Sequence, residues 1–472
     1  MGCAHQRAGM AMLHTLSILL SLLVPAHTIK SPDCGGILTP SGLKYLAEVS
    51  KPHAESVLRQ DLMSVLVSPH LHFCSSRNQI NSVKVDEFSL TLVPDTGMRL
   101  SIDVDLARIA WGKHSQEHAL APMQLSILAD LHVEMNPEGN LELVTSACKP
   151  TLEELQSTEE MDRSAPRFSS LWDLGKPIPC HCCPPLPEHP SAPFAAPFPI
   201  TPSCQVQYVP LAAPMYSEQG IIISLQTTFQ VSGTAIPLPV SPVPFSMPEP
   251  ASSTPSHLTL AFSEHFYTSL FFALEMSGAF NTTILSPLTT ATLGGKITQM
   301  GSLFQEDLPV VLQVATRSSP RVVLEEGKAI LKLFLTAQIG AVSSVFQSFL
   351  SVNVDVSARL HISVTDTRMI ISAAAIDYSC PRSVRRCRSR LTVRTWKLCR
   401  CCLTGCSTQT QAAPSWQLSL FLFLVVLRGG VFLPHIASFT YTDVNVTIHR
   451  DYVLIPCDLQ LEARTGEATT LS

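Results

Sequence analysis

Charged residues are scarce in this chain of 472 residues: only 15% are Asp, Glu, Lys or Arg, and the formal net charge is −5. A nucleic-acid-binding protein carries a clustered excess of positive charge, so this balance excludes that class. Beyond the apolar run at the N-terminus, no segment reaches the length that spans a membrane. Residues 418–427 are strongly apolar, but the run ends at Arg428 and falls short of the ~20 residues that a spanning helix needs. We therefore expect no nucleic-acid partner and no transmembrane segment.

Catalytic signatures are lacking as well. The sequence has no G-x-S-x-G elbow, no H-E-x-x-H motif and no glycine-rich phosphate loop. His132 and His361 fall at matching positions of two similar strand patterns, which favours a structural interpretation over a catalytic one. The prediction is a non-enzymatic protein without a cofactor.

Cysteine, in contrast, is plentiful, and its fifteen residues are unevenly spread. Eleven lie in or at the edges of two segments, 149–203 and 380–430, which contain the runs "CHCC" and "CRCCLTGC". Zinc sites use paired Cys or His ligands, usually spaced as C-x₂₋₄-C. Adjacent cysteines point in different directions, and disulfides are the usual fate of cysteine in a secreted chain. We therefore predict disulfides and no metal site.

The N-terminus is typical of a secretory signal. An apolar core at residues 16–24 follows Arg7, and Val24-Pro25-Ala26 places small residues where signal peptidase requires them. We expect cleavage after Ala26 and an extracellular protein. The sequons that begin at Asn281 and Asn445 predict two N-glycans on such a chain.

Hydrophobic periodicity predicts a helix followed by a strand meander. Residues 39–66 have a one-sided apolar stripe at helical spacing, with Ser41 as the expected cap and Pro52 as an expected kink. The period changes to two at residue 80, and the runs "INSVKVDEFSLTLV", "MRLSIDVDLARIAW", "MQLSILADLHVEM" and "LELVTSA" read as antiparallel strands.

The second half has the same order. Residues 257–280 predict a helix whose apolar face begins at Leu258, and strand-like runs follow, with "RSSP" (317–320) as an expected turn. The segments 129–147 and 358–374 share an Ala-x-Leu-His start, a polar turn and an alternating return. This order indicates an internal duplication.

A proline-rich stretch separates the two copies. Residues 236–250 hold six prolines in fifteen positions. Such a chain is stiff and extended and cannot complete a strand ladder, which favours a spacer between two domains; a disordered surface loop is the alternative.

The collinear order of these segments, together with "FSLTLVPDTGMRLSIDVDLAR", "PVSPVPFSMPEP" and "FYTSLFFALEMSGAFN", resembles the BPI/LBP/PLUNC family, and most closely its BPI-fold-containing family B branch. The resemblance implies an α+β fold with two similar barrels, each a twisted antiparallel sheet on long helices, in an elongated boomerang with a central sheet and a proline-rich linker. The expected organisation is a signal peptide at 1–26, an N-terminal barrel at 34–235, the linker at 236–250 and a C-terminal barrel at 251–472.

The family also implies binding of phospholipid or another acyl lipid in an apolar pocket of each barrel. The helix faces that would line these pockets carry Leu43, Leu46, Val57, Leu58 and Leu62 in the first copy and Phe262, Phe266, Leu270 and Leu274 in the second. A disulfide between Cys148 and Cys180 is carried over from the family, with Cys182, Cys183 and Cys204 as alternative partners.

Two features depart from the family pattern or its best-known ligand. The segments 149–203 and 380–430 stand where a second long helix is expected in each copy, and a splice variant or an erroneous gene model would explain them as well as divergence would. Lipopolysaccharide is a disfavoured partner, because residues 34–147 contain eight Lys or Arg against thirteen Asp or Glu. The basic run at 382–400 lies inside an atypical segment.

The predicted function is therefore a secreted lipid-binding protein of innate or mucosal defence. The alternatives are a surface-active or structural extracellular protein without lipid cargo, and a non-functional splice product.

Overall fold

The structure is a computed structural model. It describes residues 31–65, 78–111, 117–119, 123–137, 139–154, 197–237, 243, 245–248, 256–294, 303–304, 306–379, 429–434 and 438–462. The predicted signal peptide, most of the segments 149–203 and 380–430, and Cys180 lie outside these ranges.

The described part of the first half contains one helix, α1 (Pro40–Val65), and a series of strands. The strands are β1 (Cys34–Leu38), β2 (Asn78–Val93), β3 (Gly97–Trp111), β4 (Glu117–Ala119), β5 (Met123–Met135), β6 (Leu141–Glu154), β7 (Phe198–Thr201), β8 (Cys204–Pro210), β9 (Met215–Ser217), β10 (Gly220–Val231) and β11 (Thr234–Ala235).

The described part of the second half contains α2 (Glu264–Met276) and a short helix, α3 (Thr290–Gly294). Its strands are β12 (Leu258–Ser263), β13 (Thr282–Thr289), β14 (Pro309–Glu325), β15 (Lys328–Val342), β16 (Phe346–Thr365), β17 (Arg368–Ser379), β18 (Val431–Phe432), β19 (Phe439–Thr442), β20 (Thr447–Ile448) and β21 (Tyr452–Leu461).

A central sheet joins the two halves. Its strand order is β19-β21-β12-β1-β10-β8-β7, with β9 and β11 on β10 and β20 on β21. Strands β1 and β12 pair antiparallel, so that Cys34 lies opposite Phe262 and Leu38 opposite Leu258. The first strand of each half is thus bonded directly to the first strand of the other.

Each half adds its own antiparallel meander, as the alternating pattern predicts. The N-terminal sheet has the order β2-β3-β5-β6, with β4 on β3, and the C-terminal sheet has the order β13-β14-β15-β16-β17-β18. In both halves a strand of the central sheet leads into a helix, then into the meander, and then into further strands of the central sheet, of which β10 pairs with β1 and β21 with β12.

Helix α1 agrees with the predicted range, but its cap does not. The Gly42 amide donates to Thr39 Oγ1 at 3.2 Å. Both Thr39 and Ser41 bond the Ser256 carbonyl oxygen, at 2.6 and 3.1 Å. Thr39 is therefore the capping residue, and Ser41 serves instead to attach the helix to the second half.

The predicted start of the second helix was wrong. Leu258–Ser263 forms strand β12, all six residues of which are buried, and the helix begins at Glu264, where Ser263 Oγ accepts the Phe266 amide at 3.3 Å. Leu258 and Phe262 match helical spacing because a fully buried strand is apolar on both faces, and periodicity cannot separate the two structures.

The predicted turn "RSSP" was also wrong. Strand β14 runs through it without interruption, and the register with β15 shifts between Thr316 and Ser318 and again between Ser318 and Arg321. A β-bulge accommodates the extra residues, including a proline, without ending the pairing. The chain turns instead at Glu326 and Gly327, where Gly327 has a φ of 69°.

The proline-rich linker lies against the central sheet at one described position. A Cβ placed on Gly35 of β1 would lie 2.7 Å from Met247 Sδ. Since β1 and β12 are paired directly, the relative position of the two halves at this seam is set by the sheet, and the linker packs over it.

Candidate functional site

The inner face of the N-terminal sheet packs on α1 through two apolar clusters. Leu58 belongs to one, together with Val83, Val85, Ile102, Val104, Leu106 and Ile127. Leu43 belongs to the other, with Met98, Ala129, Leu131, Tyr216 and Ile221. Both predicted leucines are thus buried between helix and sheet.

Polar side chains of α1 fix the helix along the edge strand β2. Lys51 Nζ donates to the Asp86 carbonyl oxygen at 2.7 Å, Glu55 Oε2 accepts the Val85 amide at 3.2 Å, and Arg59 Nη2 donates to the Val83 carbonyl oxygen at 3.2 Å. These residues recur every four positions, so they lie on one side of the helix. They bond edge groups of β2 that would otherwise lack a strand partner.

The second half repeats this arrangement with different residues. Glu264 Oε2 accepts the Leu324 amide at 2.8 Å, and Thr268 Oγ1 accepts the Val322 amide at 3.1 Å. Here too the helix residues are four apart, and the two amides that they bond are two apart in β14. The periodicity argument missed both sets because it considered apolar positions alone.

The inner face of the N-terminal sheet carries apolar side chains that are half-buried. Phe88, Leu100, Met123, Leu125 and Cys148 all pack against the Leu58 cluster and keep part of their surface accessible. We call these five residues the N-terminal apolar face. The alternation of strand residues identifies them once the inner face is known.

The remaining predicted residues of α1 differ in position. Val57 is half-buried, and Leu46 is half-buried and packs against the large cluster of the second half. The backbone of Leu62 belongs to α1, but its side chain lies outside the described residues.

The four predicted residues of the second half are fully buried in one core. Phe262, Phe266, Leu270 and Leu274 have no exposed surface. The Phe262 and Phe266 rings are 4.8 Å apart, and the ring of Tyr267 packs edge-on against Phe266 at 5.1 Å. These residues hold α2 between the central and C-terminal sheets.

Helix α2 is covered on all sides. Nine of its 13 residues are buried, including polar Thr268 and Ser269, so it does not leave one face for a ligand as an amphipathic helix would. The structure therefore places the four predicted residues of this half in the core, while Leu43 and Leu58 of α1 lie in the clusters against which the N-terminal apolar face packs.

Acidic groups lie on the outer face of the N-terminal sheet. Asp103 accepts a hydrogen bond from Ser126 Oγ at 2.6 Å and lies directly opposite Glu87 in the ladder. Asp130 is paired with Arg99 at 2.9 Å, with both side chains largely exposed to solvent. This distribution matches the acidic balance of the sequence and is unfavourable for phosphate-rich ligands.

The proposed disulfide involves a residue at the rim of the apolar face. Cys148 lies in β6 opposite Ala129, and its predicted partner Cys180 lies outside the described residues. Cys204, named above as an alternative partner, is a buried thiol in β8 of the central sheet.

Three buried thiols give a test of this packing. Burial raises the pKa of Cys34 well above its usual value, that of Cys204 to about 11 and that of Cys457 to about 12. The reactive thiolate is therefore depleted at pH 8. We expect iodoacetamide at pH 8 to leave these three cysteines unmodified in the native protein. In about 8 M urea, which unfolds most domains, it should alkylate all three. Peptide mass spectrometry would measure this, and rapid native labelling of Cys457 would contradict it.

Both predicted glycosylation residues are exposed. Asn281 directly precedes β13, and Asn445 lies between β19 and β20 with its amide bonded to the Pro456 carbonyl oxygen. A glycan at either position would extend into solvent.

Among the helices whose residues are described, none combines the length and hydropathy needed to cross a bilayer. Within the described ranges, no group of three or more His, Cys, Asp or Glu side chains is placed to hold a metal ion.

Comparison with known proteins gives a family match and several relatives. Residues 200–377 match the family described as "LBP / BPI / CETP family, C-terminal domain". The chain is 51% identical over 464 residues to Protein TENP of Gallus gallus, covering 95% of this chain and 99% of that protein. It is 24% identical over 386 residues to human BPI fold-containing family B member 2, covering 76% and 82% of the two chains.

The crystal structure of lipopolysaccharide binding protein aligns with a TM-score of 0.49 and 13% identity, over 92% of this chain and 100% of that one.

Proposed function

This chain belongs to the LBP/BPI/CETP family, and from that membership together with the N-terminal apolar face we propose that it is a secreted, non-enzymatic protein that binds acyl chains of phospholipid. The chain has the two-barrel BPI-type fold, in which a central sheet lies between two meanders. The lipid lies in the N-terminal half, between α1 and the inner face of its sheet.

The half-buried side chains of the N-terminal apolar face carry this proposal. Leu125 and Phe88 pack on the Leu58 cluster yet keep accessible surface, which a bound acyl chain would cover. Each buried methylene contributes ~0.8 kcal/mol, so a chain of ten carbons gains several kcal/mol without any charge pairing. The core around α2, in contrast, is filled by Phe262, Phe266, Leu270 and Leu274.

Secretion and a role in innate or mucosal defence complete the proposal. The predicted signal peptide, the exposed sequon residues Asn281 and Asn445, and the family resemblance support it. The ligand class is phospholipid and not lipopolysaccharide, because the N-terminal half is acidic and its outer face places Asp103 opposite Glu87.

Substitution on opposite faces of β5 tests lipid binding. Leu125→Gln places an amide on the inner face, whereas Leu128→Gln changes an exposed residue of the same strand on the outer face. We expect Leu125→Gln to reduce uptake of a fluorescent phosphatidylcholine by about tenfold, since it removes roughly 1.4 kcal/mol or more of apolar contact. Leu128→Gln should bind as the unmodified chain does.

Native mass spectrometry with lipid extraction, on protein secreted by eukaryotic cells, provides the direct measurement. Folded, secreted protein that holds no lipid and takes up none would overturn the proposal. Retention of the chain inside the cell would instead favour a non-functional variant.

A second candidate function is a surface-active extracellular protein without lipid cargo. The complete burial of Phe262, Phe266, Leu270 and Leu274 favours it, because the core around α2 is filled. Measurements of interfacial tension and of lipid uptake separate the two functions. A surface-active protein lowers the tension whether or not Leu125 is replaced, whereas a lipid carrier loses lipid uptake when Leu125 is replaced.

A further inference from the structure

We propose that the outer end of the C-terminal sheet is a docking surface for a zwitterionic lipid layer, such as a phosphatidylcholine membrane. The surface consists of Leu285, Val342, Val345 and Phe346, which we call the distal patch. The inference rests on the proposed lipid-binding function and states how the protein reaches its lipid.

The distal patch is defined by exposure that is unusual for large apolar side chains. Leu285 is 72% exposed and Val345 67% exposed, while Val342 is 36% exposed. Val345 lies in the turn between β15 and β16, and Leu285 lies in the edge strand β13. Large side chains of this kind normally lie in the core, and several together on a surface mark an interaction site.

The sheet register places Leu285, Val342 and Phe346 on one face, and Val345 directly precedes Phe346 in the turn. Leu285 pairs with Val311, Val311 pairs with Gly340, and Val342 pairs with Phe346. Directly opposed residues and residues two apart on a strand share a face. A Cβ on Gly340 would lie 2.5 Å from the Phe346 ring, so the ring covers the glycine on this same face.

The position of the patch makes it accessible to a large flat surface. The opposite end of β15 lies at the central sheet, where the Gly327 amide bonds the Ile448 carbonyl oxygen at 2.9 Å. With 15 residues, β15 carries the Val342 end about 50 Å away from that contact. The distal patch thus lies at a terminus of the C-terminal half and not beside the seam.

Charge identifies the occupant. Residues 333–354 contain no Asp, Glu, Lys or Arg, and neither does β13. Glu306 and Asp307, both acidic, lie just before β14, and Asp307 accepts the Ala291 amide at 2.8 Å beside the end of β13. These acidic groups would repel an anionic membrane, whereas a zwitterionic membrane has no net charge and needs no basic residues on the protein.

The size of the patch argues against a protein partner. A stable protein interface buries about 800 Å² on each side with charged or hydrogen-bonding groups at its rim. Four apolar side chains around a turn that contains Ser343 and Ser344 provide less area, but they suit shallow insertion at the headgroup boundary, where hydroxyl groups remain hydrated.

Vesicle flotation tests the proposal with the full secreted chain. Phosphatidylcholine vesicles should carry the protein to the top of the gradient, with little dependence on salt, and the double variant Leu285→Glu/Val345→Glu should lower the partition coefficient by roughly tenfold or more. Ser372→Glu, which adds a charge at an exposed position of the same sheet, should leave binding unchanged.

The outcomes separate this inference from the proposed function. The Leu125→Gln variant should lose lipid uptake yet still float with vesicles. If the Leu285→Glu/Val345→Glu variant no longer floats but still takes up monomeric lipid, the distal patch is supported. Equal flotation of that variant and the unmodified chain would overturn it. So would a change from dimer to monomer in sedimentation equilibrium, which would make the patch an interface between two copies.

Discussion

Replacing Leu270 by alanine should destabilise the C-terminal half strongly. Leu270 lies at the centre of α2, is fully buried, and belongs to the cluster that includes Phe266 and Phe271. Removal of a buried leucine side chain costs about 2–5 kcal/mol, through lost transfer energy and the cavity left behind. Urea denaturation followed by circular dichroism should show an earlier unfolding midpoint for this variant.

A matched substitution controls for the chemistry of the change. Leu285→Ala removes the same atoms from an exposed position of the same half, and we expect a change within about 0.5 kcal/mol. If Leu270→Ala were equally mild, α2 would border an open cavity, and the assignment of its apolar residues to a solid core would be wrong.

Replacing Gly35 by alanine should disturb the seam between the halves. The added Cβ would lie 2.5 Å from the Ile223 carbonyl oxygen and 2.7 Å from Met247 Sδ. The thioether can rotate away, but the carbonyl oxygen belongs to β10, which is held between β1 and β8. Crowding of this kind costs about 1–3 kcal/mol. We expect a lower thermal unfolding midpoint and faster proteolysis of the linker around Met247.

Gly294→Ala is the corresponding control, because a Cβ at that residue would meet nothing within 4 Å. Its unfolding midpoint and linker cleavage should equal those of the unmodified chain. Slow linker cleavage in both variants would show that Met247 does not depend on Gly35 for its position.

The strands and the first helix were accessible from the sequence because their signals are local. The alternation in β2, β3 and β5 follows from one face packing on α1 and the other meeting solvent. The one-sided stripe of α1 likewise reflects a helix that is covered on one side. The central sheet was anticipated through the family resemblance, not through any pattern in β1 or β12.

The second helix and its role could not be read in the same way. Between Leu258 and Leu274 the chain is buried in strand and helix alike, so no polar face marks the change at Ser263. The capping hydroxyl of Ser263 was the available signal. An apolar stripe also does not show whether its residues line a pocket or fill a core. That difference depends on how closely the opposing sheet packs against them.

The candidate site was predicted in part. Leu58 and Val57 were recognised on α1, but the half-buried residues opposite them, such as Leu125, come from strands whose inner face is defined only by the folded sheet. The bonds from Glu55 to β2 and from Glu264 to β14 depend on a helix and a strand meeting at a particular register, which sequence alone does not determine.

The pairing of β1 with β12 has a consequence for how the chain can be divided. Each of these strands has the other as its neighbour, so separating the polypeptide at the linker would strip five consecutive residues on either fragment of their ladder partners. If the folded chain were cleaved in the linker, the two fragments would remain associated and would elute together in size-exclusion chromatography. A fragment expressed alone would expose an unpaired edge strand and tend to aggregate.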